Sequence, residues 1–239
     1  MDVLVITGTG TGVGKTVVTA ALSALAVAQG RRVAVLKPAQ TGVTPDEPGD
    51  LAEVARLAGK VSTYELGRYP DPLAPATAAR RSGLPAISPA HAAGVAADLA
   101  AGHDQVLIEG AGGILVRMDE AGGTLADVAW SLNAPVLLVV EAGLGTLNAT
   151  ALTAEALVRR GVECVGVVIG SWPGEPGLAE RCNLRDLPQA AGAPLLGALP
   201  AGSAALDSDG FLAVARAGLS PWFGGDFDAE RFVASAHVS

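Results

Sequence analysis

The chain has 239 residues, half of them hydrophobic but only 4% aromatic, which excludes disorder as the main state and a base-stacking platform for nucleic acid. Its 24 acidic residues outnumber 16 basic ones, for a net charge of −8. No run of Lys or Arg exceeds two residues (Arg31-Arg32, Arg80-Arg81, Arg159-Arg160), so a sequence-independent grip on a phosphodiester backbone is excluded as well.

Short β-branched runs alternate with alanine-rich helical stretches along the chain. The pattern predicts strands over 3–7, 32–37, 105–109, 135–141, 163–170 and 194–199. They are nearly all apolar rather than alternating, as strands buried on both sides are. Helices are predicted over 15–29, 50–58, 75–82, 89–101, 125–132, 147–160 and 178–191, with Pro89 in a first turn behind a capping Ser88. The Pro/Gly-rich stretches 41–49, 67–75 and 172–177 are too short to separate folding units and read as loops. The expectation is an α/β fold with a mostly parallel sheet and helices on both faces, forming one domain over 1–239 in which 205–239 is a helical segment on the sheet edge.

No targeting segment is expected: Met1-Asp2 supplies no basic region and 3–7 is too short for a signal core. The longest apolar helical stretch, 17–28, falls short of the ~20 residues that span a bilayer. These readings predict a cytoplasmic protein with no membrane or nucleic-acid partner. Cys164 and Cys182 form neither a disulfide framework nor a metal cage and read as idle thiols.

The sharpest signal is a strand, a glycine-rich loop and a helix in succession: Val3 to Thr7, then Gly8-Thr9-Gly10-Thr11-Gly12-Val13-Gly14-Lys15-Thr16. Glycines let successive N–H groups turn toward phosphate oxygens, and the helix that follows adds its positive end. Lys15 is placed for the β- and γ-phosphates, and the Thr16 hydroxyl for Mg²⁺. The motif G-x-x-x-x-G-K-[ST] calls for glycine where Thr9 stands, with Gly8 making the loop one residue longer. Triphosphate binding and a P-loop fold follow, but no particular reaction.

The second strand ends in Lys37-Pro38-Ala39-Gln40-Thr41-Gly42. Lys37 either reaches the same crevice or is a solvated strand-end charge. Together with the loop, this segment resembles dethiobiotin synthetase, a family of ATP-dependent enzymes that close the ureido ring in biotin biosynthesis. Ile108-Glu109-Gly110-Ala111-Gly112-Gly113, Gly143-Leu144-Gly145-Thr146-Leu147-Asn148 and Leu199-Pro200-Ala201-Gly202 extend the similarity over roughly residues 1–205.

By residue type alone, Glu109 at a strand end suits a hard cation or is an unpaired acid. Asp50 is open to a reading as a plain helix cap. The resemblance places a Mg²⁺-binding aspartate in this acidic loop, so Thr16, Asp50 and Glu109 form the implied metal ligands. It implies nucleotide contacts from Gly12, Val13, Gly14, Lys15, Thr16, Val17, Asp50 and Glu109 through Gly112. Gly170, Ser171, Pro200, Ala201 and Gly202 are the implied base contacts. The start of the helix at Gly145, Thr146, Leu147 and Asn148 offers free N–H groups for a substrate carboxylate, or is an ordinary helix capped by Thr146.

The family's substrate is 7,8-diaminononanoate, which takes up CO₂ as a carbamate that ATP then activates. Lys37, Lys15 and Thr11 are the implied catalytic residues, with Thr41 a further substrate contact. The family contributes the 145–148 segment across a homodimer interface. Two departures stand out: Ala149 replaces a frequent histidine, and Gly170-Ser171-Trp172-Pro173 replaces an adenine-reading asparagine. Backbone groups would then read the base, which predicts relaxed base preference; Trp172 either shields the base or packs. The rival readings are a partitioning or septum-positioning ATPase, whose signature lysine is here Gly10, and a cobyrinic-acid-type amidoligase, whose glutaminase domain would not fit in this length.

Overall fold

The computed structural model describes residues 3–237; Met1-Asp2, read above for a leader, and the final two residues of the helical tail lie outside them. In chain order the elements are β1 (Val3–Gly8), α1 (Lys15–Ala28), β2 (Val33–Lys37), β3 (Gln40–Thr41), α2 (Asp50–Ala58), β4 (Ser62–Glu65), β5 (Arg68–Tyr69), α3 (Pro75–Ser82) and α4 (Pro89–Gly102). Then follow β6 (Gln105–Gly113), α5 (Leu125–Ser131), β7 (Val136–Val140), α6 (Thr146–Val158), β8 (Cys164–Trp172), α7 (Leu178–Ala191), β9 (Leu195–Pro200), α8 (Ser208–Gly218) and α9 (Ala229–His237).

Seven strands form one sheet in the order β4-β2-β6-β1-β7-β8-β9, with every pairing parallel. Alternation of side chains along each strand feeds two apolar layers. Leu4, Ile6, Val33, Val35 and Leu107 pack in one cluster with α1, α2 and α8. Val5, Ala34, Leu36, Val106 and Ile108 pack in the other with α4 and α5. The inner strands are therefore apolar on both faces, which explains why their sequences carry no polar alternation. A third cluster joins β7, β8 and β9 to α7 and α9.

The predicted strands and helices are all present, with ends shifted. Helix α6 starts at Thr146 and stops at Val158, one residue earlier and two earlier than expected. Strand β6 runs on to Gly113, because Gly113 still pairs with Gly8 beyond an irregularity in the register. Three short strands were not predicted. β4 is a sheet edge of sequence Ser-Thr-Tyr-Glu, paired with β2 alone and half exposed, so it shows no apolar run. β3 and β5 pair only with each other, two residues apiece, and β5 falls inside the stretch read as loop. Beyond β9, α8 packs on α1 and α2, and α9 on α7 and β9. Among the described residues no helix is long and apolar enough to cross a membrane.

Candidate active site

The sheet register brings the candidate residues together. Ile6 of β1 stands opposite Glu109, and Leu36 of β2 opposite Ile108, so Lys37, the next residue of β2, lies beside Glu109 at the carboxyl edge. Lys37 shares a strand face with Val35, and Glu109 with Leu107, both in the cluster under α1 and α2. Each side chain therefore leaves the sheet on the side where α1 and α2 begin, at the crevice where open α/β sheets take ligands.

Helix α1 opens behind the glycine loop. Gly14, its N-cap, has φ +93° and lies against the Gly170 backbone, so a Cβ there would be both strained and without space. Lys15 is nearly buried, and its ammonium donates a 2.7 Å hydrogen bond to the Gly10 carbonyl. That contact folds the side chain over its own loop, where phosphate oxygens would replace a carbonyl partner. One residue on, the Thr16 hydroxyl donates to Glu109 Oε1 at 2.9 Å.

Lys37 is 2% exposed and Glu109 0%. The Lys37 ammonium donates to Glu109 Oε1 at 2.8 Å and to the Gly110 carbonyl at 3.3 Å, and it forms an ion pair with Asp50. Burial disfavours its charge, but Glu109 and Asp50 outweigh burial and raise its pKa above the ordinary lysine value. Lys15 goes the other way: burial first, and the nearby Lys37 charge second, push its pKa down, while Glu109 and Asp50 only partly compensate.

Asp50 is not a cap. The N-cap of α2 is Gly49, and Asp50 is the first helical residue, its carboxylate turned to Lys37. Glu109 Oε2 is buried with no hydrogen-bond partner. A hydroxyl and two carboxylates, one with an oxygen to spare, are the hard donors a small divalent cation takes. No cluster of three or more His, Cys, Asp or Glu suited to a metal occurs among the described residues, so a cation held here would rely on phosphate oxygens as well.

Thr11, Gly12, Gly14, Lys15, Thr16, Val17, Lys37, Thr41, Asp50 and Glu109 to Gly112 all line one cavity of about 680 Å³. The far wall, Pro72 to Pro75 with Val116, was not singled out from sequence, nor was Gln40 on the near side. Proline and alanine in an apparent loop gave no chemical signal there, whereas Gln40 stood within the quoted lysine segment.

The remaining candidates lie elsewhere. Val13 is buried in the core under the loop. Gly170 abuts Gly14, and the Ala201 N–H donates to the Trp172 carbonyl, so 170–172 and 200–202 form one neighbouring surface. The Trp172 ring packs on Phe232 of α9 at 5.2 Å between centroids. The 145–148 segment does not border the cavity. Gly145, with φ +90°, is the N-cap of α6, and the buried Thr146 hydroxyl donates to the Glu141 carbonyl instead of capping. Asn183, which lies well downstream of the place of the family's adenine-reading asparagine, is buried and donates to the Ala142 and Gly143 carbonyls, anchoring the loop before α6.

The family model described as an AAA domain matches residues 2–205. An ATP-dependent dethiobiotin synthetase of Streptomyces avermitilis is 66% identical over 238 residues, covering 100% of both chains. The synthetase of Saccharopolyspora erythraea is 67% identical over 94% of this chain and 98% of its own. That of Streptomyces coelicolor is 62% identical over 97% and 98%. Among solved structures, the MinC:MinD cell division complex of Aquifex aeolicus matches with TM-score 0.57 at 15% identity, over 95% of this chain and 98% of that one. Pyrococcus horikoshii MinD with Mg-ADP matches at 0.55 and 19%, over 99% and 95%. These distant structures share the fold, and only the fold is read from them.

Proposed function

The chain belongs to the ATP-dependent dethiobiotin synthetase family, and from that premise we propose how its own residues carry out the reaction. It is an ATP-dependent ligase that forms dethiobiotin in biotin biosynthesis. The observation that carries the proposal is the convergence of Lys15 and Lys37 on one cavity with Glu109, Asp50 and Thr16.

One amine of 7,8-diaminononanoate adds to CO₂ and loses a proton, giving a carbamate. A carbamate oxygen attacks the γ-phosphorus of ATP, the bond to ADP breaks, and a carbamic-phosphoric anhydride forms. The second amine attacks the carbamoyl carbon, phosphate leaves, and the ring closes with loss of a proton. Each stage creates or moves negative charge, so fixed cations in a sheltered cavity serve better than a strong base.

Lys37 neutralises the carbamate and the migrating phosphoryl group, and the two acids around it keep it protonated. Lys15 exchanges the Gly10 carbonyl for the β- and γ-oxygens. Thr11 and Thr41, on the cavity wall, donate hydroxyl hydrogen bonds to carbamate or amine, and the loop holds donor and acceptor in line. Thr16, Asp50 and Glu109 would hold Mg²⁺, a fit supported by the unpartnered Glu109 Oε2. Bound there with ATP, the ion supplies charge neutralisation at the phosphate oxygens.

The proposal extends to a homodimer. The 145–148 segment lies off the chain's own cavity, and Leu144, Leu152 and Val158 in and around it are exposed; pairing would cover them and bring the free N–H groups of α6 to the partner's site. Base contacts are assigned to backbone groups of Gly170, Ser171, Pro200, Ala201 and Gly202. Cytoplasmic residence belongs to the same reading, since ATP is drawn from that compartment. The test is phosphate release from MgATP with diamine and bicarbonate each omitted in turn. Release should need both, and release independent of the diamine would favour a nucleotide-gated switch instead.

A further inference from the structure

Helix α2 starts without a cap of its own. Its N-cap is Gly49, which has no side chain to offer the first turn, and orphan N–H groups at a helix start need an acceptor. The Asp50 N–H finds one outside the helix: it donates to Gln40 Oε1 at 2.9 Å. Gln40 is 4% exposed and borders the same cavity as Asp50 and Lys37.

The surrounding backbone holds Gln40 in place. Its N–H donates to the Gly67 carbonyl at 2.8 Å, and Gln40 pairs with Arg68 between β3 and β5. Arg68 is gripped by Glu65 and donates to the Thr44 and Glu47 carbonyls, fastening the acidic loop that leads to α2. Gly49 fits between these two clasps: a Cβ there would lie 2.8 Å from Gln40 Oε1 and 3.0 Å from Arg68 Nη2. A single chain of contacts thus runs from the end of β2 to the backbone of the residue whose carboxylate meets Lys37.

We propose that Gln40 is a positioning residue, whose carboxamide oxygen caps α2 from outside and thereby aims the Asp50 carboxylate at Lys37 and the metal ligands. A neutral amide performs this task without adding a third negative charge beside Asp50 and Glu109, which a capping carboxylate would do. The proposal rests on the reading of Asp50 as a Mg²⁺ ligand.

The test compares Q40A, Q40E and D50N with the wild type. In ligand-free protein, amide exchange at Asp50 should be about tenfold faster in Q40A, the size of effect expected of a lost helix cap. In Q40E, which keeps an acceptor oxygen, exchange should return close to the wild-type rate. In turnover, the Mg²⁺ concentration for half-saturation should rise about tenfold in Q40A, with KM for the diamine unmoved. Unchanged exchange at Asp50 in Q40A overturns the proposal. So does a raised diamine KM with Mg²⁺ dependence unmoved, which would make Gln40 a substrate contact. If D50N also leaves the Mg²⁺ dependence unmoved while Q40A exchanges faster, the metal-ligand reading of Asp50 has failed and takes the proposal with it, although the cap itself exists.

Discussion

Replacing Lys37 by methionine removes the one cation in direct contact with both Glu109 and Asp50. Glu109 has no exposure at all and loses a 2.8 Å partner, while Asp50, whose side chain is 36% exposed, turns to water. Breaking a buried ion pair by deleting one partner costs about 3–5 kcal/mol. The Glu109 side dominates, because the exposed Asp50 side is weakened by solvent screening. At roughly 2–4 °C per kcal/mol for a chain of this size, the ligand-free variant should melt about 6–20 °C below the wild type. A double variant, K37M with E109Q, removes both charges and should recover at least half of that loss, since the buried Glu109 charge goes together with its partner. Turnover should fall by roughly 10²–10³-fold in K37M, the cost of one lost donor at a site of developing charge, while ATP still binds through Lys15 and the loop. Thermal melts of the three proteins, with phosphate release alongside, make the test. A K37M protein that melts within about 2 °C of wild type, or one that turns over normally, would refute the reasoning.

Three further outcomes follow from the same geometry. Because Lys15 has a folded pKa below 10.5, the ligand-free site loses a phosphate-binding cation as pH rises through that lowered value, and ATP affinity measured by titration should decline before pH 10.5; the raised Lys37 keeps its charge through that window, and its contribution to stability, complete below 10.5, disappears only as pH passes its higher folded value. Constant affinity up to pH 10.5 would contradict the assignment. In G14A, a Cβ at φ +93° against the Gly170 backbone should cost about 1–3 kcal/mol of stability in a denaturant melt and abolish detectable ATP binding; wild-type binding would count against the loop assignment. On the proposal that backbone groups of 170–171 and 200–202 read the base, CTP and GTP should support turnover within about tenfold of ATP, a difference of about 1.4 kcal/mol, and strict rejection of both would require a side chain that reads adenine.

The sheet was readable because its inner strands are apolar on both faces, and the phosphate loop because glycines at 12 and 14 meet a backbone need no other residue meets so well. Lys37 and Glu109 were legible as strand ends, and register alone then places them side by side. What escaped depends on partners distant in sequence. β4 has polar residues because only one neighbour covers it. β3 and β5 are too short to carry a pattern and exist through each other. Asp50 could be read as cap or ligand because both uses favour an acid at a helix start; the structure removes the cap reading by giving the N-cap position to Gly49 and the acceptor to Gln40, ten residues away. The packing of Trp172 could not be read from sequence, because it depends on α9 returning Phe232 to its ring. Asn183 lay too far downstream to be read as a base contact, and its part in the fold is set by the Ala142 and Gly143 carbonyls it meets there.

The central claim is that the two buried ammonium groups serve a phosphoryl transfer onto a carbamate in one shared cavity. Oxygen-labelled CO₂ tests it most directly, in a reaction quenched before the label exchanges with water. If a carbamate oxygen attacks the γ-phosphorus, each inorganic phosphate released should carry one labelled oxygen, and K37M should lose the labelled product together with turnover. Unlabelled phosphate from a wild-type reaction that still makes dethiobiotin would contradict the account.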